Sequence, residues 1–164
     1  MGTITAPEPI TTAHLIDSFA CGIPALDEWL KRRALKNAVS GASRTFVVCH
    51  DGQVVGCYAL ATGSVERGDA PKKLRRNMPD PIPIMVLGRL AVDRQWQRAG
   101  VGRGLLKNAV LRSLSVSRHA GVKALLVHTL SEDAKAFYVR NGFLESPFDP
   151  MTLIISLQDA PRCL

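Results

Sequence analysis

The residues best placed to do chemistry lie between Pro83 and Leu106. A mostly apolar run, Ile84 to Val92, leads into a polar, basic turn from Asp93 to Arg98. Three alternate glycines follow, Gly100, Gly102 and Gly104, and then an apolar-periodic stretch. Glycines between a strand and a helix let the backbone approach a ligand closely, and the first N–H groups of the helix have no partner within it. Those donors sit at the positive end of the helix dipole, so the chemistry they suit is the binding of phosphate oxygens. The spacing is neither the dinucleotide pattern G-x-G-x-x-G nor a P-loop with G-K-[ST]. For a bare Gly-x-Gly-x-Gly, close packing of a helix on a sheet is an equally good reason for the glycines.

A second candidate is the phenol of Tyr138, in Ala136-Phe137-Tyr138-Val139-Arg140-Asn141-Gly142-Phe143. A phenol with a pKa of about 10 is protonated at neutral pH and can give its proton to a thiolate of roughly Cys-like basicity. On spacing alone it is more simply a packing residue. The histidines offer less. His14 and His119 are expected on the surfaces of helices, His50 beside a turn, and His128, in an apolar run, as a satisfied core residue. No dedicated base stands out. Cys21, Cys49, Cys57 and Cys163 have no C-x-x-C spacing, so neither a zinc site nor a disulfide framework is expected. Reduced cytosolic thiols fit them better, with Cys49 and Cys57 in the core.

These groups need elements to position them. The apolar run Ile84–Val92 suits a central strand. In the segment after the glycines, Leu105, Leu106, Ala109, Val110 and Leu114 fall on adjacent i,i+4 rows of one helix face. Upstream, residues 4–10 carry two prolines and allow at most an edge strand. Thr11 or Thr12 would cap a short helix through Phe19, and a second helix begins near Pro24 with Leu26, Leu30 and Ala34 on its apolar stripe. Asn37–Ser43 reads as a loop, Arg44–His50 as a strand, Asp51-Gly52 as a hairpin turn and Val54–Thr62 as the return strand. Residues 63–83 read as a long loop, with room for one short helical turn. Downstream come a strand over 124–130, a helix capped by Ser131 and stopped by Gly142, and a last strand over 151–157. The tail after Asp159 looks frayed. The order is that of an α/β protein with a mixed sheet, in a single domain over 1–164.

Composition narrows the classes. With 164 residues, 46% of them hydrophobic and 21% charged, the chain has the make-up of a soluble globular domain with a full core. No apolar run is long enough for a membrane span. The N-terminal residues lack a basic region followed by an apolar stretch, so no secretion signal is expected. Met1-Gly2 is not a myristoylation start, since Ala6 stands where Ser or Thr is needed. The formal charge of +7, from 21 basic and 14 acidic side chains, favours a polyanionic partner. The basic residues cluster as Lys31, Arg32, Arg33 and Lys36, and again as Lys72, Lys73, Arg75 and Arg76.

Gln97-x-x-Gly100-x-Gly102 after an apolar strand resembles the acyl-CoA pyrophosphate loop, Q/R-x-x-G-x-G/A, of the GCN5-related N-acetyltransferase (GNAT) superfamily. Within Ala136 to Phe143, Phe137-Tyr138-x-x-x-Gly142-Phe143 is similar to the F/Y-Y-x-x-x-G-F part of its second hallmark, A-x-x-F/Y-Y-x-x-x-G-F. The resemblance implies the GNAT fold, a mixed and mostly antiparallel sheet flanked by helices and splayed at its central strands. It implies acetyl-CoA as cofactor, gripped along Leu90, Ala91 and Val92 and at Gln97, Arg98, Ala99, Gly100, Val101, Gly102 and Arg103, with Tyr138 as the acid for the departing thiolate. The amine would need no strong base, because an α-amino group titrates near 7.7–8.0.

Along nearly its whole length the chain also resembles the TacT-type GNAT toxins of bacterial toxin–antitoxin pairs. The matching stretches are Ala6–Pro9, Phe19–Gly22, Leu26–Leu30, Ser43–Val47, Gly88–Asp93 and Phe148–Leu153, with Ala20 a departure where an acidic residue is common. This implies acetylation of the α-amine of aminoacyl-tRNA, which stops translation. It also implies a ribbon-helix-helix antitoxin, operator DNA reached through the antitoxin complex, and a homodimer in the cytoplasm. The two basic clusters would contact tRNA phosphates, and Arg89 and Arg94 its terminal nucleotides. A polyamine or aminoglycoside N-acetyltransferase is the alternative, though an acidic acceptor pocket would suit it better. A non-catalytic binding module would typically have lost the tyrosine or the glycine loop.

Overall fold

The computed structural model describes residues 3–164. The myristoylation reading of Met1-Gly2 lies outside the described residues. Seven strands form one mixed sheet in the order β1-β2-β3-β4-β5-β7-β6. They are β1 (Glu8–Pro9), β2 (Arg44–His50), β3 (Gln53–Val65), β4 (Ile82–Val92), β5 (Ala124–His128), β6 (Leu144–Glu145) and β7 (Thr152–Ser156). The helices are α1 (Pro24–Arg32), α2 (Ala34–Ser40), α3 (Lys72–Arg75), α4 (Val101–Ser117), α5 (Glu132–Arg140) and α6 (Ala160–Cys163). The pair β4·β5 is parallel, and β1·β2, β2·β3, β5·β7 and β6·β7 are antiparallel. No helix is long and apolar enough to cross a membrane among the described residues.

The chain packs as two compact units, each with its own core. One comprises the chain up to Ala61 together with Gly88–Asn108. There α1 and α2 bury Leu26, Leu30 and Ala34 with Phe19 against Val47 and Cys49 of β2, Cys57 of β3 and Ala91 of β4. The Asp51-Gly52 turn has positive φ at both residues, 51° and 80°, the type I′ geometry that matches the twist of a hairpin. Gly56 of β3 admits the helix after the glycines closely. A Cβ there would come within 3.0 Å of Leu105 Cδ1 and of Val48 Cγ2.

The other unit comprises Thr62–Leu87 and Ala109–Leu164. Its core joins Ala70 and Leu74 to Ile82 and Ile84 of β4, Ala124 and Leu126 of β5 and Ile154 of β7. The helix α5, which carries Tyr138, starts as the sequence predicts: Ser131 Oγ accepts the Ala134 N–H at 3.1 Å, with Glu132 and Asp133 in the first turn. Gly142 follows the helix with φ 94°. Ser131→Ala should therefore lower stability by about 1 kcal/mol, measurable by urea denaturation, because the cap acceptor is lost. An unchanged midpoint would refute this account of the helix start.

Several expectations are corrected. The expected helix over residues 11–19 is absent. That segment forms turns, tied down by Leu15 N–H to Gly52 O (3.0 Å) and Val54 N–H to Leu15 O (2.8 Å), so tertiary pairing takes the backbone donors that a helix would have used. His14 is accordingly not on a helix. Its ring bonds Glu8 Oε1 through Nε2 at 2.8 Å and takes the Thr11 N–H on Nδ1. The helix from Pro24 breaks at Arg33, where φ is −118°, and α2 runs on to Ser40 with Gly41 as a left-handed cap. His119 follows the end of α4 and is not within it. The tail is not frayed: α6 buries Ala160 completely. His128 is exposed and bonds a threonine, since it ends its strand on the open side of the ladder. Cys49 and Cys57 are buried as expected, and all four cysteines are free. Burial pushes the Cys57 thiol up to about 12, which makes it inert.

Candidate functional site

In the first unit the site is built where β4 gives way to α4. Asp93 ends the strand and organises the turn, its carboxylate accepting from Gln95 N–H (3.0 Å) and from Ala20 N–H (3.1 Å). A 3-10 turn over Arg94–Trp96 follows. The Gln97 side chain then donates from Nε2 to Cys21 O and to Val92 O, both at 2.9 Å. Gln97 thus ties the loop to its own strand and to the segment before α1. Arg98 and Gly100 both have left-handed backbone, φ 64° and 83°. Such alternation turns successive amides toward a common side and makes an anion cradle.

The first helical bond runs from Gly104 N–H to Gly100 O at 3.1 Å. The amides of Val101, Gly102 and Arg103 therefore lie in the first turn, where a helix offers no internal acceptor. Arg98 and Arg103 are exposed and enter no ion pair among the described residues. Donors, dipole and two free guanidiniums together suit a diphosphate. Beside them opens a cleft of about 300 Å³ lined by Thr5, Val48, Ala99, Gly100, Val101 and Leu105.

The strand that leads there carries an irregularity the sequence reading missed. Arg89, in mid-strand, has φ 58°, uncommon for a residue with a side chain. Its carbonyl accepts from Cys57 Sγ (3.6 Å), and its guanidinium lies 5.3 Å from the Trp29 ring centre, a cation–π contact. The ladder between β4 and β5 ends at Leu87↔Val127, two residues before Arg89, so β4 runs on to Val92 without a β5 partner. Ala91 is buried, while Leu90 and Val92 are half-buried. The one sequence signal for it is Gly88, which precedes the left-handed residue.

The basic residues fall into two classes. Lys31 on α1, Arg33 at the break and Lys36 on α2 are exposed, but Arg32 is paired with Glu28 at 2.7 Å, so this cluster is not free of acid. Arg94 is exposed and packs over Gly22, where a Cβ would meet its Nε at 3.2 Å. In the second unit Lys72, Lys73 and Arg76 are exposed. Arg75 uses its guanidinium on the carbonyls of Ala70 (2.8 Å) and Gly68 (2.9 Å), holding its own loop together.

Tyr138 is 5% exposed in the second unit. Its ring meets Phe137 and Phe143 edge-on, with centroids 5.1 and 5.2 Å away. Burial pushes the phenol above its ordinary range, which keeps it protonated. Its hydroxyl enters no hydrogen bond among the described residues. A buried, protonated phenol with an uncommitted hydroxyl is suited to donate a proton to a ligand atom.

Residues 41–145 match the acetyltransferase (GNAT) domain family. The chain is 49% identical to a tRNA-acetylating toxin of Mycobacterium tuberculosis (strain ATCC 25618 / H37Rv), over 98% of this chain and 96% of that one. Among solved structures it resembles AtaT complexed with acetyl-methionyl-tRNAfMet, with a TM-score of 0.90 and 28% identity over 98% of both chains. It also resembles a mutant AtaT toxin bound to the C-terminus of the antitoxin AtaR and acetyl-CoA, with a TM-score of 0.83 and 27% identity over 97% of this chain and 96% of that one.

Proposed function

The chain belongs to the GNAT acetyltransferase family, and from that premise we propose that it moves the acetyl group of acetyl-CoA onto the α-amine of an amino acid esterified to tRNA. An acetylated amine cannot accept the growing peptide, so the protein acts as a toxin of translation. The end-to-end likeness to the M. tuberculosis toxin carries this reading. The whole chain serves as one acetyltransferase domain in the cytoplasm.

Acetyl transfer needs the thioester held, a neutral amine, an oxyanion donor and an acid for the thiolate. Backbone amides released at Leu90–Val92 hold the pantetheine arm and face the developing oxyanion. The amides of Arg98–Arg103, with the two guanidiniums, take the diphosphate, and Gln97 braces their loop. Tyr138 protonates the departing sulfur. Lys31, Arg33, Lys36, Lys72, Lys73 and Arg76 supply phosphate contacts, while Arg89 and Arg94 hold the terminal nucleotides. Arg32 and Arg75 contribute less, being already engaged. A ribbon-helix-helix antitoxin with an acidic tail covers this basic surface, the complex binds its operator, and the toxin forms a homodimer.

The test is a mass measurement on bulk charged tRNA incubated with the protein and acetyl-CoA, then digested with nuclease. Acetylated aminoacyl-adenosine is the expected product. Acetylation of spermidine or an aminoglycoside in its place, with charged tRNA untouched, would establish the small-amine alternative.

A further inference from the structure

Where β4 and β5 part, the structure holds a line of hydrogen bonds, His128–Thr152–Asp149, that the acetyl-transfer scheme above does not use. The β4·β5 ladder ends at Leu87↔Val127, while β4 runs on to Val92 and β5 stops one residue later, at His128. Across the other edge of β5, His128 pairs with Thr152 of β7. His128 Nδ1 lies 2.9 Å from Thr152 Oγ1, and Thr152 Oγ1 lies 2.7 Å from Asp149 Oδ2. The other Asp149 oxygen, Oδ1, accepts the Met151 N–H at 3.0 Å. His128 Nε2 has no partner among the described residues.

The direction of these bonds follows from the acceptor at their end. The Thr152 hydroxyl, then the Met151 amide, hold the Asp149 carboxyl below its usual range, so it is a carboxylate and can only accept. Thr152 must give its one proton to Asp149, and its oxygen then accepts from His128 Nδ1–H. This assigns the neutral imidazole to the tautomer whose Nε2 carries the lone pair.

The ring lines a cavity of about 300 Å³ with Ile84, Val86, Leu126, Phe148 and Thr152. Asp69 and Asp149 also border it, and Lys135, whose charge acts on Asp149, is paired with Glu145 at 2.5 Å. An apolar pocket with acidic edges and one free imidazole nitrogen suits an amine on an apolar body. We propose that this cavity receives the acceptor amine and that His128 Nε2 takes its proton, with Thr152 and Asp149 as positioning residues.

The inference rests on the acetyl-transfer reading and balances with it. The amine lone pair forms the C–N bond, the C–S electron pair leaves on sulfur, and Tyr138 protonates that sulfur. The proton lost by the amine goes to His128, and exchange with solvent returns both side chains to their starting forms.

The test compares His128→Ala, Thr152→Val and Thr152→Ser with the parent protein, using charged tRNA and acetyl-CoA. His128 is exposed, so its removal leaves the fold intact, which a melting curve checks. His128→Ala should lower kcat by about 100-fold or more, with KM for charged tRNA and CoA affinity held within about threefold and part of kcat restored by added imidazole. Thr152→Val should lose about tenfold without imidazole rescue, and Thr152→Ser should recover most of it, since only the hydroxyl is at issue. Parent protein that acetylates charged tRNA while His128→Ala keeps its kcat, or changes only KM, would overturn the proton-acceptor role and leave the acetyl-transfer reading standing. Parent protein that ignores charged tRNA would overturn that reading, and the same variants on whichever amine is acetylated would then decide the role of His128.

Discussion

Tyr138→Phe should cut acetyl transfer by about 10²–10⁴-fold while leaving CoA affinity and the melting temperature nearly unchanged. The substitution removes one oxygen and nothing else. The ring contacts with Phe137 and Phe143 survive, and no protein group loses a hydrogen-bond partner. Desolvation disfavours the phenolate, so the hydroxyl reaches each turnover with its proton in place. The effect should therefore appear in kcat, as for an interaction made only in the transition state. Single-turnover kinetics with calorimetric CoA binding separate the two quantities. A variant within fivefold of the parent rate would remove Tyr138 from the chemistry.

Gly102→Asp should separate stability from cofactor binding. A carboxylate in the first turn of α4 interacts favourably with the helix dipole, so the protein should be unchanged or stabilised by about 0.3–1 kcal/mol. The same carboxylate would stand where the diphosphate is expected. At about 4 Å and an effective dielectric near 20, each like-charge pair costs about 4 kcal/mol, so CoA affinity should fall by at least about 100-fold. Thermal unfolding and calorimetry on one sample read both numbers. Retained affinity would place the diphosphate elsewhere, and a large drop in stability would show that Gly102 is needed for packing.

The parts legible in the sequence are those set by local interactions. The i,i+4 rows of Leu105, Leu106, Ala109, Val110 and Leu114 meant one buried helix face; the first four are buried and Leu114 is half-buried. Ser131 before two acids, Gly142 after a periodic run and Asp51-Gly52 between strands each carry their conformation in a few neighbouring atoms, and each behaves as expected. The glycine loop was legible as the entry to α4 for the same reason, with Gly100 at φ 83° just before the first helical residue, Val101. Elsewhere, local preference lost to distant partners. Residues 11–19 have helix-compatible residues, yet Leu15 pairs with backbone more than thirty residues away.

The sequence by itself determined two local frames, a glycine loop leading into the first turn of α4 and a phenol on a capped helix, because both depend on residues adjacent in the chain. Only the tertiary structure decided the strained Arg89 backbone over Trp29, the commitment of Arg75 to its own loop, and the line His128–Thr152–Asp149. Each of these depends on which strand or loop lies beside which, and hydrogen-bond direction and charge neutralisation exist only once those neighbours are in place.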